Sequence, residues 1–153
     1  MLVGERPAMG TFMGGQMSLD EHPNVPRLRA FFQAFANRNL DAIKATFATE
    51  FVWHVSIPSR FAGDRRGWDE FAKYLVDLGR ETGGTMRIEP YEIFANDDRG
   101  VALVEVSRVR RGKALSNRAV QVVDFRNGLI TEGWFLDANP LELEGFYNSQ
   151  ECR

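Results

Sequence analysis

Between residues 26 and 84 the apolar positions change from helical spacing to strict alternation and back again. Pro26 opens the first periodic segment, where a missing N–H removes no helical bond. Leu28, Phe31, Phe32 and Phe35 then recur at intervals of three and four, predicting an amphipathic helix. Asn39 is placed to cap a second, short helix carrying Leu40, Ile43 and Phe47. From Phe51 the period becomes two: Phe51, Trp53, Val55 and Ile57 share one strand face, and Val52, His54 and Ser56 the other. Pro58 stops that strand, and Arg60–Gly67 reads as a loop. Trp68, Phe71, Leu75 and Leu78 then define a third helix, with Asp69 and Glu70 favourable near its N-terminus. Gly83-Gly84 ends it.

The remainder reads as strands over Met86–Ala95, Val101–Arg111, Ala114–Arg126 and Leu129–Leu136, followed by a closing helical turn over Leu141–Tyr147. Asn127-Gly128 between apolar runs is a hairpin signal, because both residues accept positive φ. Helices followed by consecutive strands argue against a parallel βαβ design. The expected class is α+β, a strongly curved antiparallel sheet wrapped around three helices. Apolar residues on both strand faces predict a sheet covered on both sides, its concave face on the helices and its convex face against a second copy. A homodimer is therefore expected.

Composition narrows the function more than it names one. The chain has 153 residues, 44% of them hydrophobic, and a formal net charge of −2. That balance leaves no electrostatic footprint for nucleic acid. The basic run Arg108, Arg110, Arg111 and Lys113 is local and reads as a wet strand end. No apolar run approaches the roughly 20 residues that span a bilayer. The lone cysteine, Cys152, forms no internal disulfide, and no Cys/His set has zinc-like spacing, so no metal site and a cytoplasmic location are expected. Residues 1–20 are rich in Gly and Met, have no periodicity, and are expected to form a flexible arm or an extension upstream of a start at Met9, Met13 or Met17. The domain then occupies 21–153.

Several polar residues stand among apolar neighbours. If alternation holds, Glu132 shares a strand face with Ile130, Trp134 and Leu136, where a carboxylate needs a partner or carries a raised pKa. The structural alternative is an ion pair with Arg108 or Arg118. His54 is a candidate base near neutral pH, on the face opposite Trp53. Gln121, between Val120 and Val122, carries an amide able to orient a ligand carbonyl. Arg108 would bind an anionic or carbonyl-bearing ligand or neutralise Glu132. Asp137, before Ala138-Asn139-Pro140, is either an acid or a local cap; Tyr74 is either at the cavity mouth or on the helix surface.

The stretches FATEFVWHV at Phe47–Val55, FAGDRRGWDEF at Phe61–Phe71, TGGTMRIEPYEIFAND at Thr82–Asp97 and RNGLITEGWFLD at Arg126–Asp137 resemble, in order and spacing, the SnoaL-like branch of the nuclear transport factor 2 (NTF2-like) superfamily. The resemblance runs from about Val25 to Tyr147. It implies the NTF2-like cone, often dimeric, and a fold that hosts both enzymes and non-catalytic binding proteins. The ketosteroid-isomerase set of Tyr, Asp and protonated Asp falls on Phe31, Val55 and Gln121, which cannot perform those roles. The Asp–Arg–Asp set of limonene-epoxide hydrolases falls on Val106 and Arg108 with Asp137 displaced, and is broken. The resemblance to polyketide cyclases leaves more intact and implies acid/base chemistry without a cofactor. On that reading Glu132 or Asp137 moves the proton with His54 assisting. Gln121 and Arg108 polarise a carbonyl, while Trp53, Trp134 and Tyr74 hold a small apolar substrate. The rival is a non-catalytic ligand-binding or accessory domain.

Overall fold

The Asn39 side chain accepts a hydrogen bond from the Ala42 backbone N–H at 3.0 Å, so the predicted cap starts the second helix as expected. The computed structural model describes residues 21–148; the expected arm over residues 1–20, and Cys152, lie outside them. Within that range the chain runs α1 (Asn24–Ala36), α2 (Leu40–Lys44), β1 (Phe47–Val55), β2 (Gly63–Arg66), α3 (Gly67–Glu81), β3 (Arg87–Ala95), β4 (Arg99–Arg110), β5 (Lys113–Arg126), β6 (Leu129–Asp137) and α4 (Pro140–Asn148). The class is α+β, and six strands form one curled, unclosed sheet in the order β2-β1-β6-β5-β4-β3.

Three details differ from the sequence reading. Phe47 opens β1 instead of ending α2, because its ring is needed in the aromatic core, 4.1 Å from Phe51 and 5.2 Å from Phe71 between centroids. Gly63–Arg66, read as loop, is an edge strand paired antiparallel to β1. It carries no apolar residue, and charged side chains are how edge strands resist further pairing. The sheet is not wholly antiparallel either: β1 pairs with β6 in parallel, while every other neighbouring pair is antiparallel. Hydrophobic period reports which face a strand buries and carries no information about the direction of its neighbour.

Strand alternation decides which residues face the helices. On β4 the even positions from Gly100 to Arg110 are buried, and on β5 Ala119, Gln121, Val123 and Phe125 share the inner face. In β6 the alternation breaks. Asp124 pairs with Glu132 and Phe125 with Ile130, so Thr131 is the extra residue of a bulge. Ile130 and Gly133 are buried inside and the later inner positions Phe135 and Asp137 are half-buried; Glu132, Trp134 and Leu136 are turned outward.

The concave side holds α1 and α3. Phe31, Trp53 and Phe71 interlock there, with centroids 5.6 Å (Phe31–Trp53) and 5.0 Å (Trp53–Phe71) apart. Full burial of each ring contributes roughly 1.5–3 kcal/mol. Gly133 makes this packing feasible, since a Cβ there would meet Trp53 ring carbons at 2.4 Å. At the far end Glu81 of α3 binds both Arg60 (2.9 Å) and Arg110 of β4 (2.5 Å). Arg110 Nη1 also donates to the Phe146 carbonyl at 2.8 Å, which fastens α4 over that end of the sheet.

Candidate functional site

Between the inner sheet face and the helices lies a cavity with about 550 Å³ of empty space, its mouth included. Most of its wall is apolar, with Phe31 and Phe35 from α1, Phe71 and Leu78 from α3, Trp53 from β1 and Phe135 from β6. Four polar side chains enter it: Tyr74, Arg108, Gln121 and Asp137. They come from α3, β4, β5 and β6, so no short sequence motif contains them.

Five of the eight residues singled out from the sequence therefore meet in one chamber: Trp53, Tyr74, Arg108, Gln121 and Asp137. Tyr74 is buried at the wall, not on the helix surface. The other three, His54, Glu132 and Trp134, lie on the outer face of the sheet. The reading of Glu132 as sharing a face with Ile130 is corrected by the bulge at Thr131, which turns the two residues to opposite sides. Trp53 and Trp134 do not form one aromatic wall. Trp53 faces the cavity, and Trp134 stacks on His54 outside, with centroids 5.3 Å apart and planes at 20°. The partner of Glu132 is neither Arg108 nor Arg118 but His54, at 2.6 Å.

Asp137 is the carboxyl group of the cavity. Burial raises its pKa above the usual aspartate value, opposed by a hydrogen bond from Asn117 and by the nearby charge of Arg108. Asn117 Nδ2 donates to Asp137 Oδ1 at 2.8 Å, while Asn117 Oδ1 accepts from Arg108 Nη2. The amide thus spans the acid and the guanidinium and fixes both. Sequence reasoning missed Asn117, although it stands four residues before Gln121 on the same inner face of β5, a spacing that alternation makes legible.

Arg108 is 3% exposed, and burial lowers its pKa from the ordinary arginine value. It remains a cation at any physiological pH. Its guanidinium carbon sits 5.9 Å from the ring centroids of Phe146 and Tyr147. Tyr147, also unforeseen from the sequence, has a buried hydroxyl with no hydrogen-bond partner, and burial pushes its pKa up to about 12. Tyr74 is shifted in the same direction by the same cause, so both phenols stay protonated and able to donate.

Gln121 is oriented by its amide nitrogen, which donates to the carbonyls of Trp134 (2.9 Å) and Val122 (3.3 Å). Both amide protons are then committed to the backbone. The expectation that Gln121 polarises a ligand carbonyl is corrected accordingly: the side chain has only an acceptor oxygen left to offer. Among the described residues no group of three or more His, Cys, Asp or Glu side chains could hold a metal ion.

The sequence profile of the SnoaL-like domain matches residues 28–133. No curated protein matches the chain. Among solved structures, Bal32a from a soil-derived mobile gene cassette is 25% identical with a TM-score of 0.77, covering 82% of this chain and 96% of that one. TerC, co-crystallised with polyporic acid, is 20% identical with a TM-score of 0.75, covering 83% and 99%. IdmH, a candidate polyketide cyclase from Streptomyces antibioticus, is 15% identical with a TM-score of 0.66, covering 81% and 99%.

Proposed function

Because the chain belongs to the SnoaL-like domain family, we propose that its cavity admits a small, largely apolar, carbonyl-bearing molecule and that the protein is a cofactor-free acid/base catalyst of the cyclase, isomerase or hydratase type. The observation that carries this reading is Asp137, a half-buried carboxyl with a raised pKa that lines the cavity and is held by Asn117. Perturbed carboxyls in clefts are the groups that move protons near neutral pH. TerC, crystallised with polyporic acid, and IdmH, a candidate polyketide cyclase, are similar in fold, which supports the substrate class.

The chemistry follows from the placement. The Asp137 carboxylate removes a proton from the carbon beside the carbonyl, and the electron pair moves onto the carbonyl oxygen. Arg108 and the Tyr74 hydroxyl are the cavity donors available to that developing enolate. Protonated Asp137 then returns the proton, at a different carbon in an isomerisation, or to the new alkoxide when the enolate carbon has attacked a second carbonyl in a ring closure. His54 and Glu132 take no part, since both lie on the other side of the sheet.

The direct test is exchange of the α-protons of α-tetralone in deuterated water, followed by NMR. The wild-type protein should accelerate it and Asp137→Asn should lose about a hundredfold or more of that acceleration. No acceleration by the wild-type protein, with the ketone nevertheless bound, would favour the second reading, a ligand-binding domain. That alternative draws on the same geometry: among the described residues the cavity is lined by a single carboxylate.

Assembly is part of the proposal. Rows of the outer face bring Phe94, Val101, Val122 and Trp134 side by side, and next to them Leu103, Val120 and Leu136. Phe94 is 53% and Leu136 48% exposed. A second copy related by a two-fold axis would cover this self-complementary apolar patch. Among the described residues no helix is long and apolar enough to cross a membrane. The cytoplasm is the compartment we assign, on the single-cysteine composition.

A further inference from the structure

β4 sends two consecutive inner-face arginines into the protein interior, and the fold treats them differently. Arg110, 7% exposed, meets Glu81 at 2.5 Å. Arg108, 3% exposed, has no carboxylate within 4.0 Å among the described residues. The acid near it, Asp137, is reached only through Asn117. Arg108 Nη2 donates to the neutral Asn117 amide oxygen, Nε is buried with no hydrogen-bond partner among the described residues, and the Phe146 and Tyr147 rings lie beside the guanidinium. A buried cation with no directly paired carboxylate is costly. Packing alone would favour a methionine here, so the guanidinium is retained for something the described residues do not provide.

Resting on the reading of the cavity as a small-molecule site, we propose that its ligand is a flat, monoanionic molecule whose carboxylate or acidic enol oxygen docks on Arg108, with its ring system held by Phe31, Trp53 and Phe71. Arg108 lines the cavity, so an anion inside it can reach the guanidinium. The aromatic wall excludes water and strengthens that contact. Gln121, offering only its acceptor oxygen, would repel the anion and accept from a ligand hydroxyl instead, which sets the orientation of the ring. Tyr74 offers a donor from α3.

The probes are naphthalene-2-carboxylate and naphthalene-2-carboxamide, alike in shape and different in charge, titrated calorimetrically into the full chain at pH 7.5. The carboxylate should bind roughly tenfold to a hundredfold tighter than the amide, the range expected for a charge-assisted bond. Arg108→Met should erase that preference while retaining amide binding, and Arg108→Lys should keep part of it. Amide binding also reports that each variant is folded. Equal affinity of the wild-type protein for the two probes, or a carboxylate preference that survives in Arg108→Met, overturns the proposal and leaves the cavity reading intact. Failure of both probes to bind overturns the two together. Loss of exchange activity in Asp137→Asn is a separate matter, because that substitution leaves Arg108 in place.

Discussion

His54 Nε2 lies 2.6 Å from Glu132 Oε2 across the parallel β1–β6 pair, and its other ring nitrogen lies 2.7 Å from Asp64 Oδ1 on β2. Two carboxylates can be satisfied at once only if both ring nitrogens carry protons, so the imidazolium is the form this arrangement favours. The hydrogen bond to Glu132 raises the His54 pKa above 6.5, reinforced by Asp64 and opposed by burial. A raised histidine pKa stabilises the fold fully below the unfolded value of about 6.5, and this contribution is lost as pH rises through the folded value. His54→Gln should therefore destabilise by about 1 kcal/mol near pH 6 and by less on going to pH 9. Urea unfolding at several pH values measures the difference; a gap that stays constant would show that His54 is not charged in this network.

Asp137 has the opposite character. Its raised pKa means that the folded chain holds the carboxylate less well than water does, so stability contributed by the protonated form is lost as pH rises from below 3.8 through the folded value. Asp137→Asn keeps an oxygen to accept from Asn117 and removes the half-buried charge. Thermal unfolding at pH 7 should show a melting temperature equal to or above that of the wild type, alongside the loss of exchange activity. A melting temperature several degrees lower would mark Asp137 as a structural residue.

Gly133 is where the β6 backbone touches the Trp53 ring. Gly133→Ala places a methyl 2.4 Å from two ring carbons, and the ring cannot yield without disturbing Phe31 and Phe71. Overpacking of this kind costs about 1–3 kcal/mol. Denaturant midpoints should fall accordingly, with altered tryptophan fluorescence. Unchanged stability and fluorescence would contradict the close packing of Trp53 on the strand.

Leu136 and Phe94 expose apolar surface on the outer face of the sheet. Leu136→Asp puts a charge into this patch and should convert a dimer to monomer at micromolar concentration without altering the melting behaviour of the isolated subunit. Sedimentation velocity reads both forms. A wild-type protein that sediments as a monomer removes the second copy from the reading.

The Asn39 cap, the period-two strands β4 and β5, and the hairpin at Asn127-Gly128 were legible because each depends on residues close in sequence. Asn127 and Gly128 have φ of 53° and 80°, the left-handed pair that the dipeptide favours. β2 was not legible, since an edge strand of Gly, Asp and two arginines buries no apolar stripe. The site was legible in part. Trp53, Tyr74, Arg108, Gln121 and Asp137 could be nominated individually as polar or aromatic residues in apolar surroundings, and the fold brings those five together. Glu132 was nominated by the same logic and lies outside, because one bulged residue at Thr131 reverses which face of β6 looks inward.

By itself the sequence determined the class of the fold and which residues share a face on each regular strand, since both follow from hydrophobic period acting over a few residues. Tertiary structure alone decided the parallel pairing of β1 with β6, the bulge that separates Glu132 from the cavity, and the bridging of Arg108 to Asp137 by Asn117. Those features join residues far apart in the chain. Their energies depend on cross-strand register and on which charges are left without a partner, and neither quantity is carried by local pattern.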